Sequence, residues 1–127
     1  MKKTLFLAII LHCTNPQVAT SAISGNEIYA VCNSSVETEK GFCIGYVTGA
    51  WEGIKTGTAR MLLQSGAVDI KNIDSSSNEF LQICMPSSAT VLQSLDVFIS
   101  YLRDNPKNRH DTARNLIINA YQEAFPC

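Results

Sequence analysis

The chain has 127 residues, with ten basic and eleven acidic side chains, and 46% of it is hydrophobic. That near-neutral balance excludes a strongly basic surface of the kind that displaces counterions from nucleic acid or anionic lipid. The length allows one domain with one core and little spare.

Met1-Lys2-Lys3 makes a positive start, Thr4 to Leu11 is an apolar run too short to span a bilayer, and small residues follow at Ala19-Thr20-Ser21-Ala22. This is the layout of a secretory signal. Residues 1–22 are therefore expected to be removed after Ser21 or Ala22, leaving residues 23–127 as a single exported domain. A lipoprotein anchor at Cys13 is disfavoured, because His12 puts a bulky ring where such signals carry a small residue. Cleavage takes away Lys2, Lys3 and Cys13. It leaves eight basic against eleven acidic residues, a net charge of −3, and four cysteines: Cys32, Cys43, Cys84 and Cys127. No second long apolar run is present, so no membrane span is expected in the mature chain.

Ser24-Gly25-Asn26-Glu27 has the Ser-x-x-Glu form of a capping box and predicts a short helix carrying Ile28, Val31 and Cys32. Asn33-Ser34-Ser35 breaks it, and a long helix is expected from about Thr38 to Gln64, with Gly66 as its terminator. Residues 66–82 lose the helical period. Their Asp, Asn and Ser content predicts a long polar loop anchored by Val68, Ile70 and Ile73, and loops of that length are often functional. Thr90-Val91-Leu92-Gln93 predicts the cap of a third helix lined by Leu92, Leu95, Phe98, Ile99 and Leu102. Asn105-Pro106 reads as a stop and restart, with Pro106 at the first position of a last helix. That helix places Ala113, Leu116, Ile117, Ala120, Tyr121 and Ala124 at steps of three and four. The expected fold is all-α, with four helices clipped by disulfides.

Four cysteines permit three pairings. A tight Asn-Pro connection makes the last two helices antiparallel, which brings the start of one, near Cys84, beside the end of the other, at Cys127. Cys32 is then left to pair with Cys43. A metal or redox role lacks support. There is no Cys-x-x-Cys, and the mature chain keeps one histidine, His110.

Gly41, Gly45, Gly49, Gly53 and Gly57 recur at every fourth residue of the long helix. Each costs about 1 kcal/mol of helix propensity against alanine, so the space they leave should be used. Four residues overshoot one turn, and the stripe drifts around the helix by about 40° per glycine. The expectation is close packing against the protein's own helices. The alternative is a dimer seam or partner face built from Gly45, Gly49 and Gly53 with Tyr46 and Trp51 beside it.

No catalytic constellation is legible. The cysteines are expected to be oxidised, His110 lies in the charged stretch Arg109-His110-Asp111 as a surface or capping residue, and no phosphate-binding glycine loop follows a strand. No cofactor and no metal site are expected.

Cys43-Ile44-Gly45-Tyr46-Val47-Thr48-Gly49 resembles the Cys-x-Gly-Tyr-x-x-Gly segment of the Rap/Tai family of type VI secretion immunity proteins. Ile83-Cys84-Met85-Pro86 followed by Thr90, Gln93 and Tyr101-Leu102 is similar to the same family. So are Asn105-Pro106 through Arg109-His110 and the closing Ala124-Phe125-Pro126-Cys127. The resemblance covers nearly all of the mature chain. It implies a small periplasmic helical protein, commonly a homodimer, that binds and blocks a peptidoglycan amidase effector by lodging a protruding loop in its cleft. The serine-rich stretch at 66–82 departs from the family pattern. If it is the inhibitory loop, Asp69, Asn72, Asp74 and Ser75 are the residues to offer acceptors to the effector. A periplasmic chaperone or stress protein, or a structural dimer without an effector, are the alternatives that the same composition allows.

Reduction is expected to destabilise the mature domain strongly. In the chain-entropy picture the larger disulfide loop contributes about 4 kcal/mol and the smaller about 3, large terms for a domain of this size. A melting temperature unchanged by reductant would sink this expectation.

Overall fold

A computed structural model describes residues 22–127. The expected export signal, apart from Ala22, lies outside the described residues. Five α-helices follow one another: α1 (Gly25–Cys32), α2 (Glu37–Gln64), α3 (Ile73–Leu81), α4 (Val91–Asp104) and α5 (Ala113–Ala124). Single 3-10 turns at Ile70–Asn72 and Pro106–Asn108 precede α3 and α5. The only β pairing among the described residues is one antiparallel bridge, between Ser24 and Thr112.

The local signals account for most boundaries. Ser24 caps α1 reciprocally: its hydroxyl accepts from the Glu27 N–H, while the Glu27 carboxylate accepts from the Ser24 N–H at 2.8 Å. The Ser24 N–H, and then the Ser24 hydroxyl, hold the Glu27 carboxyl below its usual pKa. Thr90 caps α4 by accepting from the Gln93 N–H at 3.1 Å. Gly66 adopts φ 68° just after α2 and donates to the Leu63 carbonyl, a left-handed stop that a side chain would strain.

Two expectations are corrected. Residues 66–82 are not one loop, since most of them form α3, and the helix count is five rather than four. Ser77 and Leu81, four residues apart, are buried, and Ile73 is half-buried. Burial of that narrow stripe against α2 outweighs the modest helix propensity of three consecutive serines. The helix closes with Gln82 left-handed (φ 56°), the Gln82 N–H on the Glu79 carbonyl and the Ile83 N–H on the Asn78 carbonyl, the two bonds of a Schellman ending. The second correction concerns Pro106. It opens only a 3-10 turn, and α5 starts seven residues later, at Ala113.

The intervening connection is held by Arg109. Its Nε donates to the Leu102 carbonyl at 2.6 Å and a terminal nitrogen to the Arg103 carbonyl at 3.2 Å, satisfying carbonyls at the end of α4. Its guanidinium also lies 3.7 Å from the ring centroid of Tyr29. Backbone bonds from Gly25 to Asp111, from Asn26 to Arg109 and from Ala113 to Ile23 then tie the start of α1 to the start of α5.

The core gathers around α5, whose Ala113, Leu116, Ile117, Ala120 and Tyr121 are buried as their spacing requires, although Ala124 is exposed. Ile28, Cys43, Val47, Leu81, Ile83, Phe98 and Leu102 pack with it. In α4, Phe98 and Leu102 are buried, Leu95 and Ile99 half-buried, and Leu92 lies in solvent. Both disulfides form as expected, Cys32–Cys43 with Cα atoms 5.1 Å apart and Cys84–Cys127 with 4.8 Å. The second shows that the residues before α4 and after α5 lie side by side, as antiparallel helices demand. The Cys84 N–H donates to the Phe125 carbonyl and the Gln122 side chain to the Leu81 carbonyl at the same junction.

Gly25 is where close approach leaves no room for a side chain. A methyl group there would meet the Leu116 side chain and stand 2.9 Å from the Arg109 carbonyl oxygen, which is backbone and cannot turn aside. Gly25→Ala is expected to destabilise the domain by about 1–3 kcal/mol, read by thermal or urea unfolding. A wild-type melt would show that the Arg109 connection yields freely.

Candidate partner-binding surfaces

The two faces of α2 differ in kind. Cys43 and Val47 are buried, Ile54 half-buried, and Trp51 sets its ring edge-on to Tyr121, centroids 5.1 Å apart at 88°. At roughly 100° per residue Gly41, Gly45 and Gly49 fall on the other side, and the stripe then drifts round so that Gly53 and Gly57 lie toward the edge of the packed side. A Cβ built at Gly41, Gly45, Gly49, Gly53 or Gly57 would meet nothing within 4 Å. The expected packing of the stripe against the protein's own helices is therefore overturned: all five glycines face open space. The helix is long enough to leave part of its surface uncovered where α1, α3, α4 and α5 do not reach it.

The grouping of Trp51 with the stripe also dissolves. Trp51 belongs to the inner side, whereas Tyr46 sits between the two faces, half-buried and stacked on Phe42 with centroids 6.1 Å apart. Partial burial pushes the Tyr46 phenol above its ordinary pKa, and the charge of Arg114 pulls the other way. Phe42, 50% exposed, and Leu63, 37% exposed, share the open side with the glycines by helical position.

On the inner side, α2, α3 and the Met85–Ser94 stretch enclose a groove of about 390 Å³. Trp51, Met85, Pro86 and Tyr121 are its apolar lining, and Glu52, Lys55, Asp74 and Asn78 its polar one. Burial raises the Tyr121 pKa, partly offset by a hydrogen bond with Ser94. A smaller depression of about 190 Å³ adjoins the groove, sharing Glu52, Lys55 and Asp74 and adding Thr56, Ala59 and Ser77. A further open groove of about 390 Å³ between α4 and α5 carries Asp96, Asp104 and Glu123.

The four candidate partner residues of the 66–82 stretch do not form one cluster. Asp69 precedes the 3-10 turn and Asn72 ends it, both exposed, and the Ser75 hydroxyl donates to the Asn72 carbonyl at 3.0 Å within its own helix end. Asp74, in the first turn of α3, is the one that lines the groove. Glu52 and Lys55 line the groove with it, and Ser77 lines the adjoining depression. The sequence signal for that meeting was the Glu52–Lys55–Ala59 helical spacing opposite Asp74–Ser77, legible only once 73–81 is recognised as a helix. His110 is exposed, its Nδ1 2.9 Å from the Lys107 carbonyl. Among the described residues no three His, Cys, Asp or Glu side chains are grouped to hold a metal, and no helix is long and apolar enough to cross a membrane.

The domain is thus small, all-helical and closed by two disulfides, with an uncovered helix side and a mixed-charge groove. Residues 24–127 match the Rap1a immunity proteins, and the chain belongs to that family. An immunity function against a secreted effector protein follows from that membership. No curated protein and no solved structure matches the chain.

Proposed function

We propose that the chain is a periplasmic immunity protein that binds and inhibits a peptidoglycan amidase delivered by type VI secretion, and that it acts as a homodimer. The observation that carries this reading is the family match, which spans the whole described domain from Ser24 to Cys127. The signal-like N-terminus supports export, and two disulfides suit an oxidising compartment. The two surfaces divide the work. The glycine face of α2, with Gly45, Tyr46, Gly49 and Gly53, receives a second copy, since small residues let helix backbones approach and five uncovered glycines are costly in an isolated helix. The α3 side, with Asp69, Asn72, Asp74 and Ser75, faces the effector.

Co-expression with a candidate peptidoglycan amidase effector, one encoded beside this gene being the first choice, tests the inhibitory reading. Periplasmic toxicity should be relieved by the wild-type chain. Alanine at Asp69, Asn72 and Asp74 together should weaken effector binding at least tenfold, about 1.4 kcal/mol, with the melting temperature kept. Equal protection by the triple variant moves the effector face elsewhere.

Gly45→Ala with Gly49→Ala tests the seam. Each methyl group enters open space in the isolated chain, so the dilute monomer should gain up to about 1 kcal/mol per site. The same groups should hold two copies apart and weaken self-association tenfold or more, as measured by sedimentation. Unchanged self-association places the seam on another face.

A further inference from the structure

The depression between α2 and α3 holds a polar set that the fold leaves unsatisfied. Ser77 is 3% exposed, and its hydroxyl has no hydrogen-bond partner. A buried hydroxyl without a partner is costly, and such groups in native proteins call for an explanation. Ser77 lines the same small depression as Glu52 and Asp74, two exposed carboxylates that make no ion pair or side-chain hydrogen bond among the described residues. Lys55 lies in the same wall, so the depression carries one net negative charge.

We propose that this depression is a socket for an arginine side chain presented by the effector, with the neighbouring residues of the same effector segment lying in the larger groove over Trp51, Met85 and Pro86. This rests on the reading of the chain as an effector-binding protein and names the chemistry of the group it recognises. Three arguments select a guanidinium. The first is size: about 190 Å³ holds a side-chain head and falls below the range of pockets that enclose whole small-molecule ligands. The second is charge: Lys55 offsets one of the two carboxylates, which disfavours a divalent cation, whereas a single delocalised charge matches the remainder. The third is geometry of donors: a guanidinium has five N–H groups in a planar fork and no acceptor, so it can serve both carboxylates and, once the buried Ser77 hydroxyl turns toward the depression, donate to that oxygen as well. The apolar groove that adjoins the socket supplies the non-polar contact that an isolated charge pair at a surface lacks.

Trp51 is the chain's single tryptophan and lines the groove, so its fluorescence reports occupancy. The probe is the peptide acetyl-Ala-Arg-Ala-amide, titrated into the full chain. Its control is the same peptide with citrulline, which keeps the shape and loses the charge. The arginine peptide should give a saturable change in emission with a Kd of about 1 mM, the affinity of a few good contacts. Citrulline, or the Glu52→Gln, Asp74→Asn double variant, should weaken it at least tenfold. Ser77→Ala should melt no lower than wild type and bind the arginine peptide more weakly. Equal midpoints for the arginine and citrulline peptides overturn the proposal, using the wild-type fold alone. Binding to the candidate amidase effector separates the two readings. An amidase bound equally by wild type and by the double variant keeps the immunity reading and removes the socket. An arginine-specific response with no amidase bound keeps the socket and removes the amidase.

Discussion

The buried stripe of α5 is the constraint on which the other elements depend. Ala113 and Ala120 are small enough to let neighbouring helices come close, while Leu116, Ile117 and Tyr121 fill the space between them. Helices α1, α2 and α4 meet this stripe, and α3 joins the same core through α2 and its buried Leu81. With a core of this size, hydrophobic burial alone leaves little margin over chain entropy. The two disulfides are placed where the helices are otherwise free to separate. One joins α1 to the start of α2, and the other joins the entry of α4 to the chain end beyond α5.

That economy explains the surfaces. A domain with few helices cannot cover a 28-residue helix on all sides. The far side of α2 is left bare, and it is the side that carries Gly41, Gly45 and Gly49. The inner side is covered by α1, α3 and α5, and where α3 and the Met85–Ser94 stretch do not quite meet over Trp51 a groove remains. Family membership assigns the chain to proteins that neutralise an effector by binding it. The arrangement found here leaves two distinct regions open, the glycine-bearing side of α2 and a mixed-charge groove between α2 and α3.

Arg109 shows how a residue can be read correctly in composition and missed in role. In the sequence it sits beside His110 and Asp111 as part of a charged stretch. In the fold it closes the end of α4 through two carbonyls, covers Tyr29 and positions the backbone that binds Gly25 and Asn26. Leu102 and Arg103 lie only seven and six residues back, but Tyr29 and Asn26 come from α1, far away along the chain, and nothing in local spacing announces that half of the tie. The serine-rich α3 was missed for a related reason. Its buried side is only Ile73, Ser77 and Leu81, too sparse a pattern to outweigh Asp, Ser and Asn in a reading based on propensity.

What the sequence determined by itself is the part governed by local chemistry. Ser24 and Glu27, Thr90, and Gly66 set helix ends through bonds or backbone freedom within a few residues. The three-and-four spacing of α5 named its buried side, and the antiparallel turn before it was enough to pair Cys84 with Cys127. Only the tertiary structure decided which surfaces stay open. Five glycines in a helix require space, but whether the chain's own helices occupy it depends on where α1, α3 and α5 pack. The meeting of Glu52, Asp74 and Ser77 was decided there too, because it depends on the placement of α3 against α2, a contact between segments whose local sequence is silent about each other.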